Sequence, residues 1–183
     1  GGSLAIARHL ASLIAGADNS GMVYAELHMN DKYQEENTSY VLSNLTNSLS
    51  LNRIVYITTS QTASASEYVM TGLEPYVESW SVGEKSSGKP VGMNQFFLGS
   101  HYFLPITFIG ADSRGEWDFF EGISVDYEVA DDLTHQLGDE EEASLAAALS
   151  YIENGSAPVA MKRAEVVSKK IEFEGFRAIQ PFY

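Results

Sequence analysis

Apolar residues in the first 50 positions change from helical to alternating spacing. They recur at helical intervals over Leu4–Ile14, with Ser3 as the predicted cap and Gly16 as the predicted end of the helix. Residues 22–28 alternate between apolar and polar types and therefore predict a strand. Residues 30–50 are mostly polar, and their few apolar positions fit one side of a helix as well as an exposed loop with a short helix.

The middle of the chain predicts a strand, a sharp turn, a helix and a second strand. Residues 53–58 form an apolar, β-branched run, which is typical of a strand buried on both faces. Helical spacing follows from Ala65, and Pro75 ends this predicted helix near Glu74. Residues 80–82 predict a short strand that leads into a glycine-containing turn.

A hairpin is predicted in the next part of the chain. Residues 94–98 and 101–109 both have strand character, and the dipeptide Gly99-Ser100 between them is a typical two-residue turn. Pro105 cannot donate a backbone hydrogen bond, so we expect the second strand to lie at an edge or to contain a bulge.

The last predicted helix begins with a run of acids. Residues 139–142 are all acidic and precede apolar positions at helical spacing up to Ile152. Negative charge stabilises the amino end of a helix, so this run is interpreted as a cap and not as a metal site. Residues 155–183 are interpreted as a tail, in which residues 165–173 alternate and predict a terminal strand.

Composition limits the classes of protein to be considered. A chain of 183 residues is long enough for one core, so a single domain is expected. Eleven basic and 25 acidic residues give a net charge of −14, which argues against nucleic acid or an anionic membrane surface as partner. Cysteine is absent, which excludes disulfides and thiolate metal sites, and the four histidines show no metal-binding spacing.

Ser64 lies at the corner between the strand of residues 53–58 and the helix that follows. The backbone N–H groups of a first helical turn are unpaired and lie at the positive end of the helix dipole, where they can stabilise an oxyanion formed during acyl transfer. A serine here is therefore a candidate nucleophile. The string Ser64-x-x-Glu67 is also a capping box, in which each side chain binds the other residue's backbone N–H. This string alone leaves both interpretations open.

A serine nucleophile needs a base, and the candidate is Lys89. A neutral lysine amine can serve as base in the same way as an imidazole. Lys89 follows the strand of residues 80–82 and the turn of residues 83–88, so the chain can fold back toward the start of the helix. A triad of Ser64 with His101 is an alternative, which the spacing to Lys89 makes unnecessary.

The turn before Lys89 also matches most of a phosphate-binding loop, Gly83-x-x-x-x-Gly88-Lys89. The next position of that motif needs a serine or threonine, and here it is Pro90, which has neither a hydroxyl nor a backbone N–H. The residues beyond Pro90 have strand character where the motif needs a helix. We therefore expect no bound nucleotide.

Two stretches together resemble the C-terminal processing, or tail-specific, serine proteases. They are Val-Tyr-Ile-Thr-Thr-Ser-Gln-Thr-Ala-Ser-Ala-Ser-Glu, residues 55–67, and Val-Gly-Glu-Lys-Ser-Ser-Gly-Lys, residues 82–89. The resemblance implies that Ser64 is the nucleophile and that Lys89, at the spacing seen in the family, is the general base. It also implies that the backbone N–H of Ala65 contributes to the oxyanion hole.

The same resemblance implies an α/β protease core of the spiral, ClpP/crotonase-like type, of which this chain holds a part, with a β-hairpin region after the lysine. Residues 1–154 would be the carboxy-terminal part of the catalytic domain and residues 155–183 an extension. Gly1 and Gly2 match a glycine pair that ends a strand in the family and supplies a second oxyanion donor, although a tag remnant is the alternative. On this basis we expect the chain to belong to a longer protein and to be nearly inactive by itself.

One departure from the family concerns the residue that orients the lysine. Related proteases commonly have a glutamine where this chain has Met93. Gln95 faces the same way on a strand, and a bulge near Gly92 would bring it into that role. Glu67, one helical turn from Ser64, is the competing candidate.

The predicted function is that of a serine endopeptidase that uses a Ser-Lys dyad, without metal or cofactor, on polypeptides and close to their carboxy termini. The resemblance further implies export to the bacterial periplasm or cell envelope, with membrane contact only through an anchor outside this chain. A non-catalytic module that binds ligands or peptides on the same scaffold is the alternative. The presence of both Ser64 and Lys89 argues against it.

Overall fold

The computed structural model describes residues 1–116 and 119–156. Its α-helices are α1 (Leu4–Ala15), α2 (Ala65–Leu73) and α3 (Ala143–Asn154). Its strands are β1 (Val23–Met29), β2 (Thr38–Val41), β3 (Arg53–Thr58), β4 (Glu78–Gly83), β5 (Val91–Met93), β6 (Phe96–Leu98), β7 (His101–Phe103), β8 (Ile106–Ala111) and β9 (Tyr127–Glu128). None of the helices in these two ranges has the length and apolar character needed to cross a lipid bilayer.

The strands form two main sheets and a separate hairpin. One sheet has the order β2-β1-β8-β5, with antiparallel neighbours throughout. The second has the order β3-β4-β9, with parallel neighbours, and β6 pairs with β7 as the hairpin. Helix α1 packs against α2, α2 also contacts β1, and α3 packs against β3 and β4. The molecule therefore has the mixed α/β architecture that the sequence predicts.

The β3-α2-β4 unit determines where the candidate catalytic residues lie. Strands β3 and β4 pair in parallel, and the last pair is Thr58 opposite Gly83. Because parallel neighbours end at the same edge of a sheet, the segment that enters α2 and the segment that follows β4 begin side by side. The backbone nitrogen of Glu84 donates to the carbonyl oxygen of Thr58 at 2.9 Å and holds the two segments together. This edge carries both Ser64 and Lys89.

Buried apolar side chains form two clusters. The larger lies among α1, α2 and β1, and its members are Ala11, Ile14, Ala15, Tyr24, Ala25, Leu42, Tyr68, Leu73, Val77 and Phe119. The smaller joins α3 to β4. There, the ring of Trp80 stacks on that of Tyr151 with centroids 4.0 Å apart. Gly72 lets α2 approach β1 closely, because a Cβ atom at this position would lie 2.4 Å from the ring of Tyr24.

Most predicted elements are confirmed. The helices that begin at Leu4 and Ala65, the strands at residues 53–58 and 80–82, and the hairpin turn Gly99-Ser100 are all present. Helix α3 follows the acidic run, and the carboxylate of Glu142 accepts hydrogen bonds from the first backbone nitrogens of the helix, as expected for a cap.

Two elements differ from the prediction. Residues 30–50 contain the strand β2, which pairs with β1, besides the short helix Gln34–Glu36. The long strand expected over residues 101–109 is divided at Pro105: β7 stays in the hairpin, and β8 joins the four-stranded sheet. The break follows from the missing N–H of proline. The strand predicted over residues 165–173 lies outside the described residues.

Candidate active site

Ser64 lies in the turn between β3 and α2 and has a strained backbone. Its φ is 55° and its ψ is −122°. A positive φ is uncommon outside glycine because the Cβ atom crowds the backbone, and within the described residues only Ser50 shares this feature among non-glycine residues. Such strain persists where the surrounding structure enforces it, and it is concentrated at functional sites. A sharp, strained strand-to-helix turn is also how other hydrolase folds expose a nucleophilic serine.

The side chain of Glu67 holds this turn in place through hydrogen bonds. Its side chain is fully buried, at 0% exposure, and each carboxylate oxygen accepts two hydrogen bonds. One oxygen, Oε2, accepts from the backbone nitrogens of Ser64 at 2.6 Å and Lys89 at 2.9 Å. The other, Oε1, accepts from Ser86 Oγ at 2.6 Å and from the backbone nitrogen of Gly88 at 2.7 Å. A single carboxylate therefore ties the start of α2 to the segment that carries Lys89.

These contacts extend the interpretation of Ser64-x-x-Glu67 as a capping box. The backbone N–H of Ser64 does donate to Glu67, as a box requires. The three other donors come from residues 86–89, which lie beyond β4 and outside any cap confined to α2. Glu67, predicted as a candidate to orient Lys89, holds the backbone of that residue.

Tyr68, the neighbour of Glu67, holds the other side of Lys89. Its hydroxyl donates to the carbonyl oxygen of Pro90 at 2.7 Å. Burial raises the pKa of this hydroxyl, so it remains protonated and able to donate at neutral pH. Two successive residues of α2 thus hold the backbone on both sides of Lys89, at its own N–H and at the carbonyl of Pro90.

Residues 119–123 close the lysine segment from the opposite side. The backbone nitrogen of Ser86 donates to the carbonyl oxygen of Ile123 at 3.0 Å, and the backbone nitrogen of Ile123 donates to Ser86 Oγ at 2.7 Å. Gly88 has a φ of 82°, and a Cβ atom at this position would lie 2.3 Å from the carbonyl oxygen of Phe120. Only glycine fits at this position.

Ser64 and Lys89 line the same cleft, which has a volume of about 390 Å³. Both residues are half-buried. The apolar residues that line this cleft are Leu4, Ala5, Leu27, Tyr40, Ala65, Tyr68, Val91, Met93, Leu104 and Phe108. A cleft of this size that combines apolar walls with the polar side chains of Ser64, Lys89 and Asn94 has the character of a ligand site.

The residues predicted for the oxyanion hole lie around Ser64. Ala65 and Gly2 line the cleft together with Ser64. Gly1 is also adjacent, because a Cβ atom built on it would lie 3.7 Å from the Cβ atom of Ser64. The nitrogen of Gly1 donates to Ser66 Oγ at 2.9 Å. The fold therefore brings together all the residues that the resemblance assigns to this part of the site.

The predicted bulge near Gly92 is present as a register shift between Gly92 and Met93. Gln95 is exposed, however, and is not among the residues that line the cleft. Asn94 does line the cleft, and the sequence analysis did not consider it. The only available signal was its position, five residues after Lys89 and at the end of β5. His101 lies on the exposed hairpin and is also not among the lining residues.

Comparison with solved structures supports the family resemblance that the sequence motifs indicate. No protein-family model and no curated protein matches the chain. An S41 protease from Bacteroides fragilis matches with a TM-score of 0.76 and 25% sequence identity, over 85% of this chain and 43% of that protein. The chain has the fold of the S41 proteases. This result confirms the resemblance to C-terminal processing proteases that the motifs around Ser64 and Lys89 indicate.

Two more solved structures match the fold of the chain at lower sequence identity. The photosystem II D1 C-terminal processing protease matches with a TM-score of 0.54 and 20% identity, over 71% of this chain and 32% of that protein. A lipoprotein from Streptococcus agalactiae matches with a TM-score of 0.59 and 18% identity, over 85% of this chain and 52% of that protein. The chain therefore spans between a third and a half of the length of these three proteins.

Proposed function

We propose that the chain carries the catalytic dyad of a serine endopeptidase, with Ser64 as nucleophile and Lys89 as general base. The observation that carries the proposal is the bond of one oxygen atom, Glu67 Oε2, to the backbone nitrogens of both residues. This link keeps the two backbones within two hydrogen-bond lengths of each other, at the mouth of one cleft. A dyad needs this kind of fixed separation, because a loss of orientation lowers the rate steeply.

The mechanism follows from these positions. The neutral amine of Lys89 takes the proton from Ser64 Oγ as that oxygen attacks a peptide carbonyl carbon, and a tetrahedral oxyanion forms. Lys89 then gives the proton to the leaving amine, which separates and leaves an acyl group on Ser64. In the second half, Lys89 takes a proton from water, which attacks the ester and releases the acid product while the proton returns to Ser64.

Backbone N–H groups would stabilise the oxyanion. The N–H of Ala65 lies at the amino end of α2, where the helix dipole favours negative charge. Of the two glycines, we favour Gly2 as the second donor, because Gly2 lines the cleft together with Ser64. Gly2 has a φ of 131°, a backbone conformation that residues other than glycine rarely adopt.

The substrate is proposed to be a polypeptide cleaved close to its carboxy terminus, in line with the C-terminal processing proteases that the motifs resemble. Residues 1–154 would then form the carboxy-terminal part of the catalytic domain and residues 155–183 an extension. We also propose export to the periplasm or cell envelope, with any membrane attachment through a segment outside this chain.

Hydrolysis of an unfolded polypeptide by the full-length protein and its Ser64→Ala variant tests the proposal. We expect Ser64→Ala to abolish hydrolysis while the protein stays folded. Ser66→Ala should retain activity, because Ser66 is not among the residues that line the cleft. If Ser66→Ala were inactive and Ser64→Ala active, the assignment of the nucleophile would be wrong.

A further inference from the structure

Ser86 has a buried hydroxyl whose two hydrogen bonds join separate parts of the candidate site. The residue is 7% exposed. Its hydroxyl donates to Glu67 Oε1 at 2.6 Å and accepts from the backbone nitrogen of Ile123 at 2.7 Å. The amide of Ile123 can only donate and the carboxylate of Glu67 can only accept, so the direction of both bonds is fixed. Ser86 therefore connects the 119–123 segment to the carboxylate under the dyad.

The position of Glu67 Oε1 determines the position of Glu67 Oε2, because a carboxylate group is planar and rigid. Oε1 is held by Ser86 Oγ and the backbone nitrogen of Gly88. Oε2 holds the backbone nitrogens of Ser64 and Lys89. Loss of the Ser86 donor leaves Oε1 with one hydrogen bond in place of two. The carboxylate is then held less firmly, and the acceptor shared by the nucleophile and the base can shift.

Ser86 is not among the residues that line the cleft. A change at this position therefore leaves the walls that contact substrate in place. Its effect should reach the reaction through the relative position of Ser64 and Lys89, which changes kcat, and not through substrate binding, which changes KM.

We propose that Ser86 is a positioning residue that sets the distance between Ser64 and Lys89 by fixing the Glu67 carboxylate. This proposal rests on the dyad function given above. Ser86→Ala removes a donor from a buried carboxylate and leaves the Ile123 amide without its acceptor. Because displacements of about 1 Å in an active site can cost 10²-fold in rate, we expect kcat to fall by up to about 100-fold with KM nearly unchanged.

The test compares Ser86→Ala and Ser86→Thr with the control Ser87→Ala in the full-length protein. Threonine keeps the hydroxyl, so Ser86→Thr should recover most of the lost kcat. Ser87 is exposed and uses its backbone nitrogen to bind the carbonyl oxygen of Thr62, so removal of its hydroxyl should leave kcat unchanged. Amide hydrogen exchange of Gly88 and Lys89, whose N–H groups donate to Glu67, should accelerate in Ser86→Ala and not in Ser87→Ala.

The results of these measurements test the role of Ser86 separately from the dyad. Unchanged kcat and unchanged amide exchange in Ser86→Ala would overturn the inference, and so would a rise in KM at constant kcat. If Ser86→Ala does not fold, Ser86→Cys, which keeps the shape of the side chain with a slightly larger atom and a weaker donor, replaces it in the same comparison. Hydrolysis that is lost in Ser64→Ala but unaffected in Ser86→Ala overturns only this inference. Hydrolysis that survives in Ser64→Ala overturns the dyad itself.

Discussion

Ser64 and Glu67 are three residues apart, and local sequence patterns are enough to place both at the start of a helix. The apolar run of residues 53–58 and the helical spacing after Ala65 mark the corner. The positive φ of Ser64 and the contacts of Glu67 to residues 86–89 could not be predicted in this way, because they depend on β4 returning beside β3. Resemblance to a family supplied the roles of Ser64 and Lys89, and the structure supplies the reason that the two are held together.

Replacement of Glu67 by glutamine tests whether its carboxylate bridges the start of α2 and residues 86–89. The glutamine amide group is a donor and would face donors that now bind a carboxylate oxygen, so at least one buried group would lose its partner. We expect Glu67→Gln to lower the free energy of unfolding by about 1–3 kcal/mol, measured by urea denaturation. Glu78→Gln, at an exposed position of β4, is the matched control and should have little effect. Equal stability of the two variants would contradict the bridging role.

The side chain that orients Lys89 can be identified by comparing Asn94 with Gln95. Both residues are exposed, but only Asn94 is among the residues that line the cleft containing Lys89. We therefore expect Asn94→Ala to lower kcat more than Gln95→Ala, measured as pH–rate profiles of peptide hydrolysis. The opposite order would support Gln95, the residue that the sequence pattern favours.

At the scale of elements, the β3-α2-β4 unit was predictable because its strands are apolar runs and its helix has a clear period. Strand β2 was not, because its four residues are only exposed or half-buried and its place depends on pairing with β1. The division at Pro105 was predicted only as an edge or bulge, since sequence does not show that β8 leaves the hairpin for another sheet.

The packing of the loop that carries Lys89 predicts different losses of stability for substitutions at Gly88 and Gly99. Gly88 and Gly99 both have a positive φ, but only Gly88 is enclosed, with the carbonyl oxygen of Phe120 2.3 Å from the position of a Cβ atom. Gly99 has open space around it. Gly88→Ala should therefore cost about 1–3 kcal/mol more stability than Gly99→Ala in urea denaturation, because it adds a clash to the backbone strain. Hydrolysis should also fall only in Gly88→Ala. Equal losses would show that the lysine loop is not tightly packed.

For the whole molecule, the fold persists where overall sequence similarity is low. No protein-family model matches the chain, and the Bacteroides fragilis S41 protease is only 25% identical, yet its fold covers 85% of the chain. Within this fold, two short motifs place Ser64, Glu67 and Lys89 at one sheet edge.

The rate at which a fluorophosphonate modifies Ser64 tests the dyad most directly, with the modified residue located by peptide mass spectrometry. The comparison uses the full-length protein and its Lys89→Ala and Lys85→Ala variants, because Lys85 is an exposed lysine of the same loop. A lysine acts as a base only when neutral, so the rate of Ser64 modification in the protein without substitutions should rise with pH. We predict that the fluorophosphonate modifies Ser64 in the protein without substitutions and in Lys85→Ala. In Lys89→Ala, the rate of this modification should be lower by about 10²–10⁴-fold. Modification of a different residue, or equal rates in the two lysine variants, would contradict the dyad.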